Sequence, residues 1–418
     1  MVLLKKILGS SILLLIANSF GRLAMFIANI VAARLLSQEI FGQFMMLRNT
    51  ISLIENIVSG AFGNSTIKNI AQVQDKQKKL CEEVISIFFV YLLIAVMLAL
   101  FITLYSSEMS KLFFLSSELL TKALSVGALL LVFSIMSIMS QNILIGLESY
   151  KLLTKISVSI STLMIPIILF SIDKYHFFGA IYSILFYFII DFAIKIYFVT
   201  KKIDLKECAF SFQVFKQKSL NFISFSSPLL VSIILTSASF WYARVLLINS
   251  IGEFKDIAIF DAAFQWLTII MIITGATTSV ALPMLSKVSE NFGSKESKDI
   301  FYINLGINFV ITLVIALIFI FFSKNIMSIY GENYIQGYKI LQILAITSIF
   351  FSVSSIFNKF MIAHNKVMIV LISTIISIVI MYILLLTVHL SVYMLSIVFL
   401  VFYFSLSLCY ILFYRMLS

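Results

Sequence analysis

The segment VISIFFVYLLIAVMLALFITLY, residues 84–105, runs for 22 residues without an Asp, Glu, Lys or Arg. As an α-helix rising 1.5 Å per residue it is about 33 Å long, enough to cross the hydrocarbon core of a bilayer. Eleven further apolar runs of membrane length flank it. Together they predict twelve spans at approximately 10–33, 41–64, 84–105, 122–145, 156–172, 178–198, 221–249, 258–282, 300–322, 338–362, 368–386 and 392–414. The whole chain of 418 residues is 61% hydrophobic, against roughly 45–50% for a soluble domain. It reads as an all-α integral membrane protein with no room for a further soluble domain of ordinary size. A lipid-facing barrel would need alternating strands of about ten residues, and no such pattern is present.

The formal net charge of +11 would suggest nucleic acid in a soluble protein, but here it follows membrane topology. With the N-terminus in the cytoplasm, that side collects eighteen Lys and Arg residues, among them Lys5, Lys79, Lys151, Lys206, Lys295, Lys366 and Arg415. The opposite loops hold five: Arg34, Lys111, Lys174, Lys255 and Lys324. This bias predicts cytoplasmic N- and C-termini, and no nucleic-acid partner. Lys5-Lys6 could open a secretory signal, but the apolar run continues to Ala33 and reads as an uncleaved first span.

Loop starts repeat: 34 and 250 lie 216 residues apart, 65 and 283 lie 218 apart, and the pairs 106 with 323 and 146 with 363 lie 217 apart. The chain therefore reads as two six-helix halves, 1–198 and 221–418, joined by a basic cytoplasmic linker at 199–220. Six spans per half keep both halves in the same orientation, an arrangement found in transporters with the site between halves.

Polar residues inside the spans are the candidate site, because a charge near the bilayer centre costs about 2.5–3.5 kcal/mol on insertion scales. The first span aligns Asn18, Arg22, Met25 and Asn29 on one stripe, and the second aligns Arg48, Ser52, Glu55 and Ser59. In the seventh, Ser237, Trp241 and Arg244 share a face. The eighth carries Asp261, Gln265 and Thr268, the tenth Ser348, Ser352, Ser355 and Lys359, and the fourth Ser134, Ser137 and Gln141. These charges could simply pair and hold helices together, and that is the reading for Asp191 with Lys195 at i,i+4. Asp261, close to the start of its span, reads as interfacial. For Arg22, Arg48 and Arg244 only Glu55 lies comparably deep, so positive charge is in surplus. Arginine grips phosphate through a planar fork, so the missing partner reads as a phosphorylated anion. Trp241 and Trp266 could stack on sugars, although belts and packing explain them as well. By contrast, the almost purely apolar third and twelfth spans are expected outside, against lipid.

No G-x-x-x-x-G-K-[ST] run exists, so ATP hydrolysis through a P-loop is excluded. His176, His364 and His389 lie in separate loops without ligand spacing, which predicts no metal site. Outer loops are short for a membrane polymerase or glycosyltransferase. The chain is expected to move something across the membrane rather than to be an enzyme.

The stretch Ala33-Arg34-Leu35-Leu36-Ser37-Gln38-Glu39-Ile40-Phe41-Gly42-Gln43-Phe44 resembles the end of the first span and start of the second in polysaccharide flippases of the MATE-like (MOP) superfamily. Ser227-Pro228-Leu229, Tyr330-Gly331-Glu332-Asn333-Tyr334 and Ala363-His364-Asn365-Lys366 are similar in the same way. The resemblance spans the whole chain and is nearest in character to the Wzx-type O-antigen flippases of Gram-negative inner membranes. It implies the MATE-like twelve-helix fold and alternating access. It also implies transfer of an undecaprenyl-pyrophosphate-linked oligosaccharide, the O-antigen repeat unit, from the cytoplasmic to the periplasmic leaflet. A proton or sodium gradient would supply coupling, and the polysaccharide polymerase machinery would be a partner. Where such proteins often carry an acid before the basic residue late in the seventh span, this chain has Ala243-Arg244. Glu55 is then the leading coupling carboxylate, with Asp261 second. Arg22, Arg48, Arg244, Lys359, Asn18, Asn29, Trp241 and Gln265 are the expected substrate contacts. The alternatives are a MATE-type multidrug or cation exporter, which should show excess carboxylate instead, and a flippase for another lipid-linked glycan such as capsule or a lipid II-like molecule.

Overall fold

The computed structural model describes residues 20–203, 227–288, 295–364 and 366–417. Asn18, residues 10–19 of the first expected span and the linker beyond Ile203 lie outside the described residues. Among the described residues all regular structure is helical. The chain divides into two compact units, Met1–Leu36 with Met46–Ile233, and Ser37–Met45 with Ile234–Ser418.

The first unit contains α1 (20–35), most of α2 (Gln38–Val73), α3 (Gln77–Leu104), α4 (Ser106–Phe113), α5 (Glu118–Gly146) and α6 (Tyr150–Thr200). Helix α5 is its centre, packed against α3, α4 and α6. Small residues on α5, including Gly127, Ser134, Ser137 and Ser140, let neighbouring backbones come close, which drives helix association where lipid is as apolar as leucine. Helix α3 turns Leu93, Met97, Leu100 and Leu104 outward, as its uninterrupted apolar sequence predicts. Helix α6, with 51 residues, is too long for one pass and breaks at His176 (φ 50°, ψ −123°). The chain reverses there so tightly that a Cβ on Gly179 would lie 2.0 Å from the Ser171 carbonyl oxygen. Glycine is the residue that permits this contact.

The second unit contains most of α7 (Ser227–Ile251), α8 (Lys255–Val288), α9 (Lys295–Phe321), the short α10 (Ser323–Ser328), a 3₁₀ turn (Glu332–Gly337), α11 (Tyr338–Ala363), α12 (Val367–Thr387) and α13 (Val392–Leu417). Helix α11 is its centre, packed on α8, α9, α12 and α13. The first turns of α2 also belong here. The Glu39 carboxylate accepts hydrogen bonds from the backbone N–H groups of Phe254 and Lys255, both at 3.0 Å, and so caps the N-terminus of α8. A Cβ on Gly42 would lie 2.0 Å from the Phe254 carbonyl oxygen, so only glycine lets these segments meet.

The twelfth expected span corrects the sequence reading. Helix α13 is not a lipid-facing rim: Leu395, Phe399, Phe402 and Tyr410 are buried in the second unit. In a membrane an apolar helix faces lipid or protein with equal ease, so composition alone cannot place it.

Helix boundaries recur at a fixed interval. The starts Gln38 and Lys255, the ends Leu104 and Phe321, the starts Ser106 and Ser323, the ends Gly146 and Ala363, and the starts Tyr150 and Val367 are each 217 residues apart. Eight helices among the described residues are long and apolar enough to cross a membrane. Helix α6 is counted once there although it makes two passes. Helices α2 and α8 carry the charged and polar stripes that lower their hydropathy, and only part of α1 is described.

Candidate functional site

In the first unit the expected site residues on α1 and α2 remain without protein partners where it matters. Arg22 is exposed on α1, and Asn29 is half-buried two turns further on. Arg48 and Glu55 are half-buried on α2. Arg48 Nη1 and Glu55 Oε1 are both buried, and neither has a hydrogen-bond partner among the described residues. They form no ion pair with each other there. Seven residues of helix separate them by about 10.5 Å, so the competition between Glu55 and a ligand for Arg48 that a shared face suggests does not follow. A buried guanidinium nitrogen with nothing to donate to is costly, and an incoming anion would relieve that cost.

Elsewhere in this unit the sequence reading of Asp191 and Lys195 as an i,i+4 pair matches the structure, with Nζ 2.5 Å from Oδ2. Sequence reasoning did not find their cross-helix partners on α5. Ser137 donates to Asp191, and Lys195 donates to Gln141 Oε1 at 3.2 Å. The polar stripe of the fourth span was the available signal.

The second unit overturns two sequence expectations. Arg244 is 4% exposed and Asp261 1% exposed, and Nε stands 2.9 Å from Oδ1. The remaining guanidinium contacts are the Phe240 carbonyl oxygen, 3.0 Å from Nη1, and the rings of Phe260, Phe264 and Phe399, whose centroids lie 5.1, 4.8 and 5.4 Å from Cζ. Arg244 therefore does not add to the positive surplus, because Asp261 neutralises it internally. Nor is Asp261 interfacial. Helix α8 begins at Lys255, three residues before the expected span, so Asp261 falls in its second turn, directed into the packed interior.

Gln265 is also engaged. Its Nε2 lies 3.9 Å from Met45 Sδ, and its Oε1 accepts from the Tyr330 hydroxyl at 3.2 Å. The amide joins α8 to the turn preceding α11 rather than standing open to a ligand. Trp266 packs edge-on against Phe319 at 5.6 Å between centroids, and Trp241 is half-buried. Lys359 is half-buried one turn from the end of α11, with no ion pair among the described residues. Among the described residues, no three of His, Cys, Asp and Glu gather as a metal would require.

A family model described as polysaccharide biosynthesis protein matches residues 7–289 of this sequence. The chain belongs to that family. The polysaccharide biosynthesis proteins it joins are the family of the Wzx-type flippases. No curated protein matches the sequence. Solved structures show the fold. The inward-facing conformation of a multidrug resistance MATE family transporter of the MOP superfamily matches with a TM-score of 0.81 at 14% identity, over 95% of this chain and 94% of the other. A MOP superfamily transporter from Pyrococcus furiosus, described as having a binding pocket of reverse polarity that suggests a different function, matches at 0.72 and 17% identity, over 99% and 95%. The outward-facing conformation of a multidrug resistance MATE family transporter matches at 0.68 and 15% identity, over 99% and 95%. This polysaccharide biosynthesis protein is thus a multi-pass membrane protein with the MATE-like fold of twelve transmembrane helices.

Proposed function

We propose that the protein is a flippase that moves an undecaprenyl-pyrophosphate-linked oligosaccharide, the O-antigen repeat unit, from the cytoplasmic to the periplasmic leaflet of the inner membrane by alternating access. The observation that carries this reading is Arg48, whose buried Nη1 has no acceptor among the described residues. Arg22 on α1 and Lys359 on α11 add cations that no described carboxylate pairs. A pyrophosphate supplies the negative oxygens that such groups lack, and the guanidinium fork fits them. Family membership supports polysaccharide precursors as cargo, and the fold supports transport.

In this reading Arg22, Asn29, Arg48 and Lys359 contact the headgroup, joined by Asn18. Arg244, Asp261 and Gln265 serve the packing of their own unit. Segments 1–198 and 221–418 act as the two halves, joined by the linker at 199–220, with both termini in the cytoplasm. Glu55, the α2 carboxylate with an unsatisfied buried oxygen, is the coupling group for a proton or sodium ion. The test is transport in proteoliposomes carrying a pyrophosphate-linked glycolipid in one leaflet, read by accessibility of the glycan to a lectin. Transfer that needs intact Arg48 supports the reading. Equal transfer by protein lacking this arginine overturns it.

A further inference from the structure

The charged cluster around Asp191 has no part in the headgroup contacts above, and it is incomplete in one respect. Asp191 and Lys195 are each 3% exposed. Asp191 Oδ2 is doubly engaged, by Lys195 Nζ at 2.5 Å and by the Ser137 hydroxyl. Lys195 is satisfied, with Ser137 Oγ at 3.4 Å and Gln141 Oε1 at 3.2 Å as further acceptors. Asp191 Oδ1, in contrast, is buried with no partner. Tyr187, one turn earlier on α6, sits against both Asp191 and Ser161, and the Ser161 hydroxyl is a second buried oxygen without a partner. Lys195 and Tyr187 are the titratable groups facing Asp191 among the described residues. The elements packed there otherwise contribute neutral Ser137 and Gln141 from α5 and Ser161 from the first pass of α6.

A structural staple needs no orphan carboxylate oxygen, since a second donor would remove the cost of burying it. A hard metal cation is a poor occupant. It requires about six oxygens, and the described groups offer Asp191 Oδ1 with two neutral hydroxyls while Lys195 already holds the other carboxylate oxygen. A proton needs only Oδ1 itself, and the O–H it forms becomes a donor where acceptors lie unsatisfied. We propose that Asp191 is a reversible proton-binding site inside the first unit, distinct from Glu55. In the binding step a proton from water adds to Oδ1, one O–H bond forms, no bond breaks, and the cluster passes from neutral to a single positive charge. Lys195 then has only neutral acceptors, Ser137 and Gln141. A buried cation without a counter-charge favours any arrangement in which it reaches water, and Lys195 lies five residues, about 7.5 Å, from the end of α6 at Thr200. Proton binding is thereby tied to a rearrangement of α6 against α5.

That the rearrangement serves cargo movement rests on the flippase reading; proton binding does not, and it is tested without cargo. Infrared difference spectra of the full-length protein in lipid are recorded across a pH titration. The expected result is a carbonyl stretch of a protonated carboxyl that titrates reversibly, is lost in Asp191→Asn and is kept in Glu55→Gln. A band unchanged by Asp191→Asn overturns the proposal. Should Asp191→Asn fail to insert, Ser137→Ala removes one donor to the charged carboxylate, and the protonated band should persist to a pH about one unit higher. A midpoint in Ser137→Ala identical to the parent's overturns it equally. If the band behaves as expected while glycolipid transfer is absent, the proton site stands and the flippase reading falls.

Discussion

Arg244 Nε and Asp261 Oδ1 meet at 2.9 Å beneath the rings of Phe260, Phe264 and Phe399, so the deepest arginine of the seventh span is neutral in sum and closed off. Removing one member of such a pair strands the other charge in an apolar surrounding, at a cost of about 3–5 kcal/mol. Arg244→Ala and Asp261→Asn should each lower the melting temperature of the purified protein markedly, whereas Arg244→Met combined with Asp261→Asn should recover most of the loss. Additive losses in the double variant would show that the two side chains do not act as a pair.

Arg48 should behave in the opposite way. Its Nη1 has no protein partner to lose, so Arg48→Ala should leave thermal stability within about 0.5 kcal/mol of the parent and abolish surface polysaccharide in cells. Arg48→Lys should restore it only in part, because an ammonium keeps the charge without the planar fork. Polysaccharide at parental levels in Arg48→Ala, with equal protein in the membrane, would remove this residue from the substrate site.

Glu55→Gln should preserve cargo binding while flattening the response of transport to an imposed proton or sodium gradient. The measurement is initial rate in vesicles against gradient size. A Gln variant that tracks both gradients as the parent does would leave Glu55 a purely structural role.

Gly42→Ala should fail in folding rather than in transport. The added Cβ would sit 2.0 Å from the Phe254 carbonyl oxygen, and a backbone atom cannot swing aside as a side chain can. Loss of about 3 kcal/mol or more, read as low yield and early melting, is expected. A stable Gly42→Ala protein would mean that α2 and the start of α8 do not touch as described.

Reporter fusions after Lys79, Lys151 and Lys366 should report the cytoplasm, and fusions near Lys111 and Lys324 the periplasm. The charge bias alone drives this expectation. Two or more sites on the wrong side would overturn the topology.

The sequence by itself determined the helical membrane class, the presence of polar stripes on particular spans and the Asp191–Lys195 pair. Each depends on periodicity or on transfer energy along one helix, and both are local. The tertiary structure alone decided which charges are spare. Arg244 and Arg48 look alike in sequence, each a lone arginine deep in a polar stripe, but Asp261 is seventeen residues away on the next helix and only packing brings it to Arg244. Likewise, the motif around Glu39, Phe41 and Gly42 reads as a family signature in the linear chain. Its reason lies 215 residues away, where the Glu39 carboxylate caps α8. The inward face of α13 was hidden for a related cause: lipid and protein interior are equally apolar, so hydropathy records that a helix leaves water but not which neighbour it meets.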